Sequence, residues 1–570
     1  MRIHGYVALA AVALSLGNAQ NLTSEQRKSD LQQLANLFAK HYGPYEWKKE
    51  VKNFDLYNLK PWLDRAETTT DDLEFADLLV EWVASLDDAH DAISFPSNWA
   101  ASLGFSVDYY DDKLLIEAIS RARLPLAQYP FGIGDELVSI DGVPVADAVA
   151  RYRKYAIAAN ERSTRRFAAS LLTSRRQAGI PLAPRWTPDK SMVEIRRASG
   201  DLESYELTWL KTGTEMEFGL LPSPARVQAK AARKLAYSQV ADSEDPTLPD
   251  FMKPMASKLN IQVNPEWRAI LNYGGRNPIF TPPANFQRRL GGLATDIFFS
   301  GTFESGGKRI GFLRIPSFSP SNTSLAVNQF AGEIIFFQQN TDGLIIDDMR
   351  NPGGSVSYCE FLLTLLMPNT FRTLGFEIRA TSSWVNSMSS TVQAAEAAGL
   401  PGWQLDGLRA TLEDIRLANR GNRARTGPLS LNSSGTLDLL PGPILYTKPL
   451  IVLVDELSAS GGDFFPAVIQ DNNRGLIVGM RTMGAGGNVV PYDASSYTEG
   501  FVTITESLMN RKNPVTGTEF PAAPYVENIG VRPDVVVDYM TRENLMNGGA
   551  PFVSRISQIM VDHINAAGSR

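Results

Sequence analysis

The chain has a single cysteine, Cys359, in 570 residues. No intramolecular disulfide can form, so its stability rests on packed cores. Cys359 lies in SYCEFLLTLLM, an apolar run that reads as a buried helix and makes it a core thiol rather than a nucleophile. Histidine is scarce: His4, His41, His90 and His563 are all there are. With no HExxH and no cysteine cluster, no metal site is expected. No glycine-rich phosphate loop stands between a strand and a helix, so no cofactor is expected either. Basic residues number 55 against 62 acidic ones, a net charge of −7, and they form no cluster that would serve nucleic acid. No stretch beyond the N-terminus carries about 20 unbroken apolar residues, which argues against stable membrane insertion. Internal repeats are lacking as well.

What is present is an ordinary globular balance, 44% apolar and 21% charged. A chain of this length is expected to hold several domains of ~150 residues each. The start, MRIHGYVALAAVALSLGNAQN, combines Arg2, an apolar run too short to span a bilayer, and small residues Gly17-Asn18-Ala19. Residues 1–19 read as a cleaved signal peptide, which would make the mature chain secreted or periplasmic.

Residues 20–97 read as a helical N-terminal region. Leu31, Leu34, Leu37 and Phe38 recur at helical spacing, and so do Leu73, Phe75, Leu78, Leu79, Trp82, Val83 and Leu86. The second helix should stop near Asp87-Asp88 and leave His90 on a turn. Residues 98–212 alternate like strands, with turns at Asp111-Asp112 and Asp141-Gly142 and a helix from Val145. Residues 213–300 are rich in Pro and Gly without a period and read as a connecting segment or lid. From 301 to 540 strands and helices alternate, the pattern of βαβ units around a mostly parallel sheet. A long polar insertion at 369–445 interrupts this pattern, and 541–570 closes the chain with a helix.

Two turns carry chemistry. VLVDELSASGGDFFPAVIQ sets serines between an apolar strand and a helix. Backbone N–H groups at a helix start can hold an oxyanion, although a Ser there also serves as a plain N-cap. IIDDMRNPGG also ends a strand, and Gly353-Gly354 allow close backbone approach with exposed N–H donors. Together the turns could supply both halves of an oxyanion hole.

These stretches resemble the C-terminal-processing, or tail-specific, serine peptidase family, whose core is a crotonase-like (ClpP/crotonase) α/β fold. IIDDMRNPGG, SASGGDFFPAVIQDNNRGLIVGMRTMGAGG and GVRPDV follow the family's order. Residues 98–212 resemble a PDZ domain, with Leu103-Gly104-Phe105 where that family binds a peptide carboxylate. The resemblance spans most of 98–212 and 301–540. It implies a helical region and a PDZ-like β-rich domain ahead of a catalytic core of βαβ units. It also implies Ser460 as nucleophile, Ser458 as structural, Gly461 with Gly353 or Gly354 as oxyanion donors, and protein or peptide substrates. A homo-oligomer is compatible with it.

The chain departs from the Ser–Lys branch of that family. Ala485 stands where that lysine would be, and an unassisted Ser hydroxyl is a weak nucleophile. LDDAHDAISF resembles the histidine segment of the tricorn-core and protease-like activity factor branch, which uses Ser-His-Glu, although Ala89 replaces the serine that precedes the tricorn-core histidine. His90 is thus expected as the base, titrating within about a unit of ~6.5. Glu527 is expected to orient it, with Glu519 as runner-up and Asp87, Asp88 and Asp91 as local alternatives. The resulting activity is a secreted serine endopeptidase. Two rivals share the fold: an inactive peptide- or apolar-ligand-binding protein of the retinoid-binding-module type, and a thioester-processing enzyme, which export disfavours.

Overall fold

Beyond residue 280 the apolar runs become one twisted sheet. In the computed structural model, which describes residues 21–216, 271–431, 435–517 and 519–568, its strands lie in the order Gln287–Leu290, Phe299–Ser305, Lys308–Arg314, Gly343–Asp347, Leu450–Val454, Leu476–Gly479 and Val535–Val536. The first two pairings are antiparallel and the other four parallel. Leu344, Ile346, Leu450, Val452 and Val454 pack in one core with residues of helices Thr323–Asn340, Val356–Thr364 and Gly461–Asp471. The alternate residues Ile345, Ile451 and Leu453 pack with the C-terminal helix Ala550–Gly568. Both faces are covered, which is why these strands read as unbroken apolar runs. Cys359 is buried within Val356–Thr364, as expected.

Two boundaries differ from the sequence reading. The sheet begins with Gln287–Leu290, inside the segment taken for a connection. That strand is a mostly exposed edge reading QRRL and shows no apolar alternation. The 369–445 insertion, read from sequence only as long and polar, is packed into the core. Helices Ser382–Ala397 and Gly402–Arg420 bury Trp384, Met388, Leu412 and Ile415 in the same core as the helix after Ser460. Strand Gly375–Arg379 also pairs with Ser507–Val515. Residues 1–19, read from sequence as a signal peptide, and most of the connecting segment lie outside the described residues.

The N-terminal half holds helices Ser24–His41, Tyr45–Lys52, Lys60–Thr68 and Asp72–Ala84, then an antiparallel sheet built on Phe105–Tyr110, Lys113–Ile119, Glu136–Ile140, Lys190–Arg196 and Leu202–Thr208. One apolar cluster runs from Phe38, Phe75 and Trp82 through Leu103, Phe105 and Phe167 to Leu457, Ala459, Met483 and Ala485. The β-rich domain is keyed to the core by helix Glu161–Ser170. Asn160 Nδ2 donates to the Met483 carbonyl (2.9 Å), Ser163 Oγ to the Glu456 carbonyl (2.5 Å), and Arg166 pairs with both Asp108 and Glu456.

Candidate active site

Strand Leu450–Val454 ends in a turn, and helix Gly461–Asp471 begins directly after Ser460. Ser460 has φ 58° and ψ −111°. A non-glycine residue in such a conformation costs about 1–3 kcal/mol and persists only where its surroundings hold it. Here they do. The Ser460 N–H donates to Asp463 Oδ2 (2.9 Å), and the Ser460 carbonyl accepts the N–H groups of Asp463 and Phe464 (2.9 Å each). Ser458, two residues earlier, is wholly engaged: its hydroxyl donates to the Asp348 carbonyl (2.8 Å) and accepts the Asp455 N–H (3.1 Å). The local sequence thus fixes a strand–turn–helix elbow with Ser460 at its apex, 7% exposed.

Gly353-Gly354 pack directly on this elbow. A Cβ on Gly353 would lie 2.4 Å from the Gly461 nitrogen and 2.6 Å from Ser460 Cβ, and Gly353 has φ 92°. Only glycine fits. Asn351 braces the turn, its carbonyl accepting the Ala459 N–H (2.9 Å) and its Oδ1 the Gly353 N–H (2.8 Å). The N–H groups of Gly461 and Gly354 donate to no acceptor among the described residues. Of the two glycines expected to supply a donor, Gly354 is therefore the free one.

His90 follows helix Asp72–Ala84 on a short turn, as the spacing implied. Its backbone is fastened at both ends: the N–H to Asp88 Oδ1 (2.9 Å), the carbonyl to Thr503 Oγ1 (2.6 Å). Its ring is buried, and neither ring nitrogen has a hydrogen-bond partner among the described residues. Burial, opposed by Asp88 and reinforced by Lys48, lowers its pKa to about 4. This exceeds the one-unit displacement expected, because no carboxylate touches the ring to offset desolvation. Glu527 is fully buried and occupied elsewhere: Oε1 accepts Lys48 Nζ (2.5 Å) and Oε2 the Gly486 N–H (2.9 Å). Burial and then Asp88 push it up to about 8, against Lys48 and the Gly486 N–H.

The structure thus joins His90 to neither Ser460 nor Glu527 by a hydrogen bond, but it connects their supports. Asp463 takes the N–H groups of Ser460, Gly484 and Ala485, and the Thr482 hydroxyl. Gly486 reaches Glu527, Glu527 reaches Lys48, and Lys48 Nζ donates to the carbonyl of Asp87 (2.7 Å), three residues before His90. Burial raises the pKa of Asp463 to about 6 against these donors. The runner-up Glu519 lies at the surface, paired with Arg481. Asp87 is engaged at the surface by Lys52, while Asp88 and Asp91 brace the backbone through Thr505.

Residues 309–537 match Peptidase family S41, and residues 99–216 match a PDZ domain. The core is a serine-type peptidase of family S41. Over nearly its whole length the chain resembles an uncharacterized protein of Chlamydia muridarum (24% identical, covering 96% of this chain and 94% of that one) and a protein of Chlamydia pneumoniae (25%, 99% and 94%). A shorter stretch, 22% of the chain and 23% of the relative, is 28% identical to carboxyl-terminal-processing peptidase 3, chloroplastic, of Arabidopsis thaliana. The fold matches that of mature CPAF with a TM-score of 0.74 at 22% identity, covering 96% of this chain and 98% of that one. Among the described residues no helix is long and apolar enough to cross a membrane.

In the PDZ domain of this S41 peptidase, the Leu103-Gly104-Phe105 loop corrects one expectation. Its N–H groups do not all stand free for a carboxylate: Leu103 N–H donates to the Thr173 carbonyl (3.0 Å) and Gly104 N–H to Ser102 Oγ (3.2 Å). Two residues at the site were not foreseen from sequence. Asp463 could have been, since it lies three residues after Ser460 at capping-box spacing. Lys48 sits in the polar string YEWKKEVK, where nothing sets it apart from its neighbours.

Proposed function

We propose that this S41 peptidase is an exported endopeptidase working through an acyl-enzyme, with Ser460 as nucleophile, His90 as general base and Glu527 as the carboxylate that supports it. The observation that carries this reading is the pair of unengaged N–H groups, Gly461 and Gly354, flanking a serine held at positive φ. His90 is neutral at pH 7, so it can take the Ser460 proton as Oγ attacks the peptide carbonyl. The tetrahedral oxyanion rests on the Gly461 and Gly354 N–H groups. His90 then gives the proton to the departing amine as the C–N bond breaks, and water reverses the steps to free the acid. The imidazole must come onto Ser460 Oγ when substrate binds. Looser geometry without substrate is ordinary for such sites.

A fluorophosphonate should label wild-type protein at Ser460 and leave Ser460→Ala unlabelled. Equal labelling of both would remove Ser460 from the mechanism. Export rests on the apolar run and the small residues at 17–19. The first residue of protein recovered outside the producing cell should fall near residue 20, and an intact Met1 there would contradict it.

A further inference from the structure

Lys48 is an anomaly on its helix. Lys49 and Lys52, its basic neighbours, are solvent-accessible, whereas Lys48 is 0% exposed. A buried ammonium is tolerated only when its protons are matched. All three are: Nζ donates to Glu527 Oε1 (2.5 Å), to Asn528 Oδ1 (2.7 Å) and to the Asp87 carbonyl (2.7 Å). Asn528 Nδ2 returns to the same Asp87 carbonyl (3.0 Å), and Asp87 itself has φ 54°. One lysine thus ties the carboxylate loop 527–528 to the turn that ends at His90. The other oxygen of Glu527 is held by Gly486, next to Ala485, where the Ser–Lys branch would carry its own lysine.

We propose that Lys48 is a positioning residue for catalysis: it fixes Glu527, together with the 87–90 turn, against the glycine-rich turn. This rests on the Ser460–His90–Glu527 reading and deepens it. The charged groups facing the pair are Asp88, Asp91 and His90 on the turn, Asp87 beyond them, and the Tyr42 hydroxyl, which donates to Asp88. Burial works against the Lys48 ammonium, but Glu527, Asp88 and Asp87 outweigh it and leave it protonated. Without that ammonium, Glu527 would face burial and Asp88 with only the Gly486 N–H in its favour, and it would ionise at higher pH.

The test compares Lys48→Met, Glu527→Gln and the double variant in the full-length enzyme, reading kcat and KM on a peptide substrate across pH. Lys48→Met should lower kcat about 100-fold, leave KM within about twofold, and move the rise of kcat with pH upward by about a unit or more. The double variant should be no slower than Glu527→Gln alone. Wild-type kcat with an unmoved pH midpoint in Lys48→Met overturns the proposal. A merely structural lysine would lower the amount of folded enzyme without moving that midpoint, which also overturns it. Wild-type kcat in Glu527→Gln instead overturns the triad reading, whatever Lys48→Met does. If Lys48→Met does not fold, the double variant decides, since it removes both charges of the pair. Folded and as slow as Glu527→Gln, it supports the proposal. Tenfold faster than Glu527→Gln, or also unfolded, it refutes it.

Discussion

The two halves of the proposed active site are built on different principles. The nucleophile half is local. Ser460, Gly461, Asp463 and the Gly353-Gly354 turn sit at the ends of adjacent parallel strands, Gly343–Asp347 and Leu450–Val454, and short backbone bonds hold them. The base half is assembled across the chain. His90 comes from the N-terminal helical region, Lys48 from a helix some forty residues earlier, and Glu527 from the far end of the core. The first half is preorganised down to the N–H groups it presents. In the second, the His90 ring is buried without a hydrogen bond. In the proposed mechanism a braced oxyanion site is thus combined with a base still to be engaged, and an enzyme gains most from preorganisation where charge develops.

The largest effects should come from the reacting groups themselves. Ser460→Ala and His90→Ala should each lower kcat by about 10⁴-fold or more, and the double variant should be little worse than either, because residues acting as a unit are not additive. A His90→Ala enzyme within tenfold of wild type, measured on the same peptide, would break the comparison by removing the base half altogether. Next comes the glycine turn. Gly353→Ala would drive a Cβ to 2.4 Å from the Gly461 nitrogen, so the turn must retreat from the elbow. The expected loss in kcat is about 10²–10³-fold, the range for a lost oxyanion donor, with folding shown intact by circular dichroism. An active Gly353→Ala enzyme would mean that the nucleophile half is less tightly packed than its contacts indicate.

The same division explains what could be read in the sequence. Strand–turn–helix signals around Asn351–Gly354 and Ser458–Asp463 are contiguous, so the α/β core, the elbow and its glycines were visible as local patterns. The PDZ domain was visible in the same way, through alternating strands and Asp-Gly turns. The engagement of Leu103 and Gly104 was not, because Thr173, which takes the Leu103 N–H, lies seventy residues away. Strand Gln287–Leu290 carries no apolar period since it is an edge. Lys48 was hidden for a deeper reason: its burial depends on Glu527 and Asn528, 479 and 480 residues on. No window of sequence contains both partners.

The smallest effect concerns stability, and it separates the halves without any substrate. His90 has its pKa lowered from 6.5 to about 4 by burial. Between those values the unfolded chain binds the proton and the folded chain does not, so folding stability falls as pH drops from above 6.5 through 4. The full loss is about 3 kcal/mol, from ~1.4 kcal/mol per unit. Asp463 and Glu527, raised to about 6 and about 8, work in the opposite direction because their folded forms hold protons more tightly. The measurement is therefore a difference. Urea unfolding of wild type, His90→Asn and Ser460→Ala at pH 7.5, 5.5 and 4 should show Ser460→Ala running parallel to wild type throughout. His90→Asn should gain on wild type by up to about 3 kcal/mol as pH falls. If the His90→Asn and wild-type curves stay parallel, His90 titrates alike in the folded and unfolded chains. The imidazole would then be hydrated or paired in solution, and the base half would not be the closed, unengaged pocket described above.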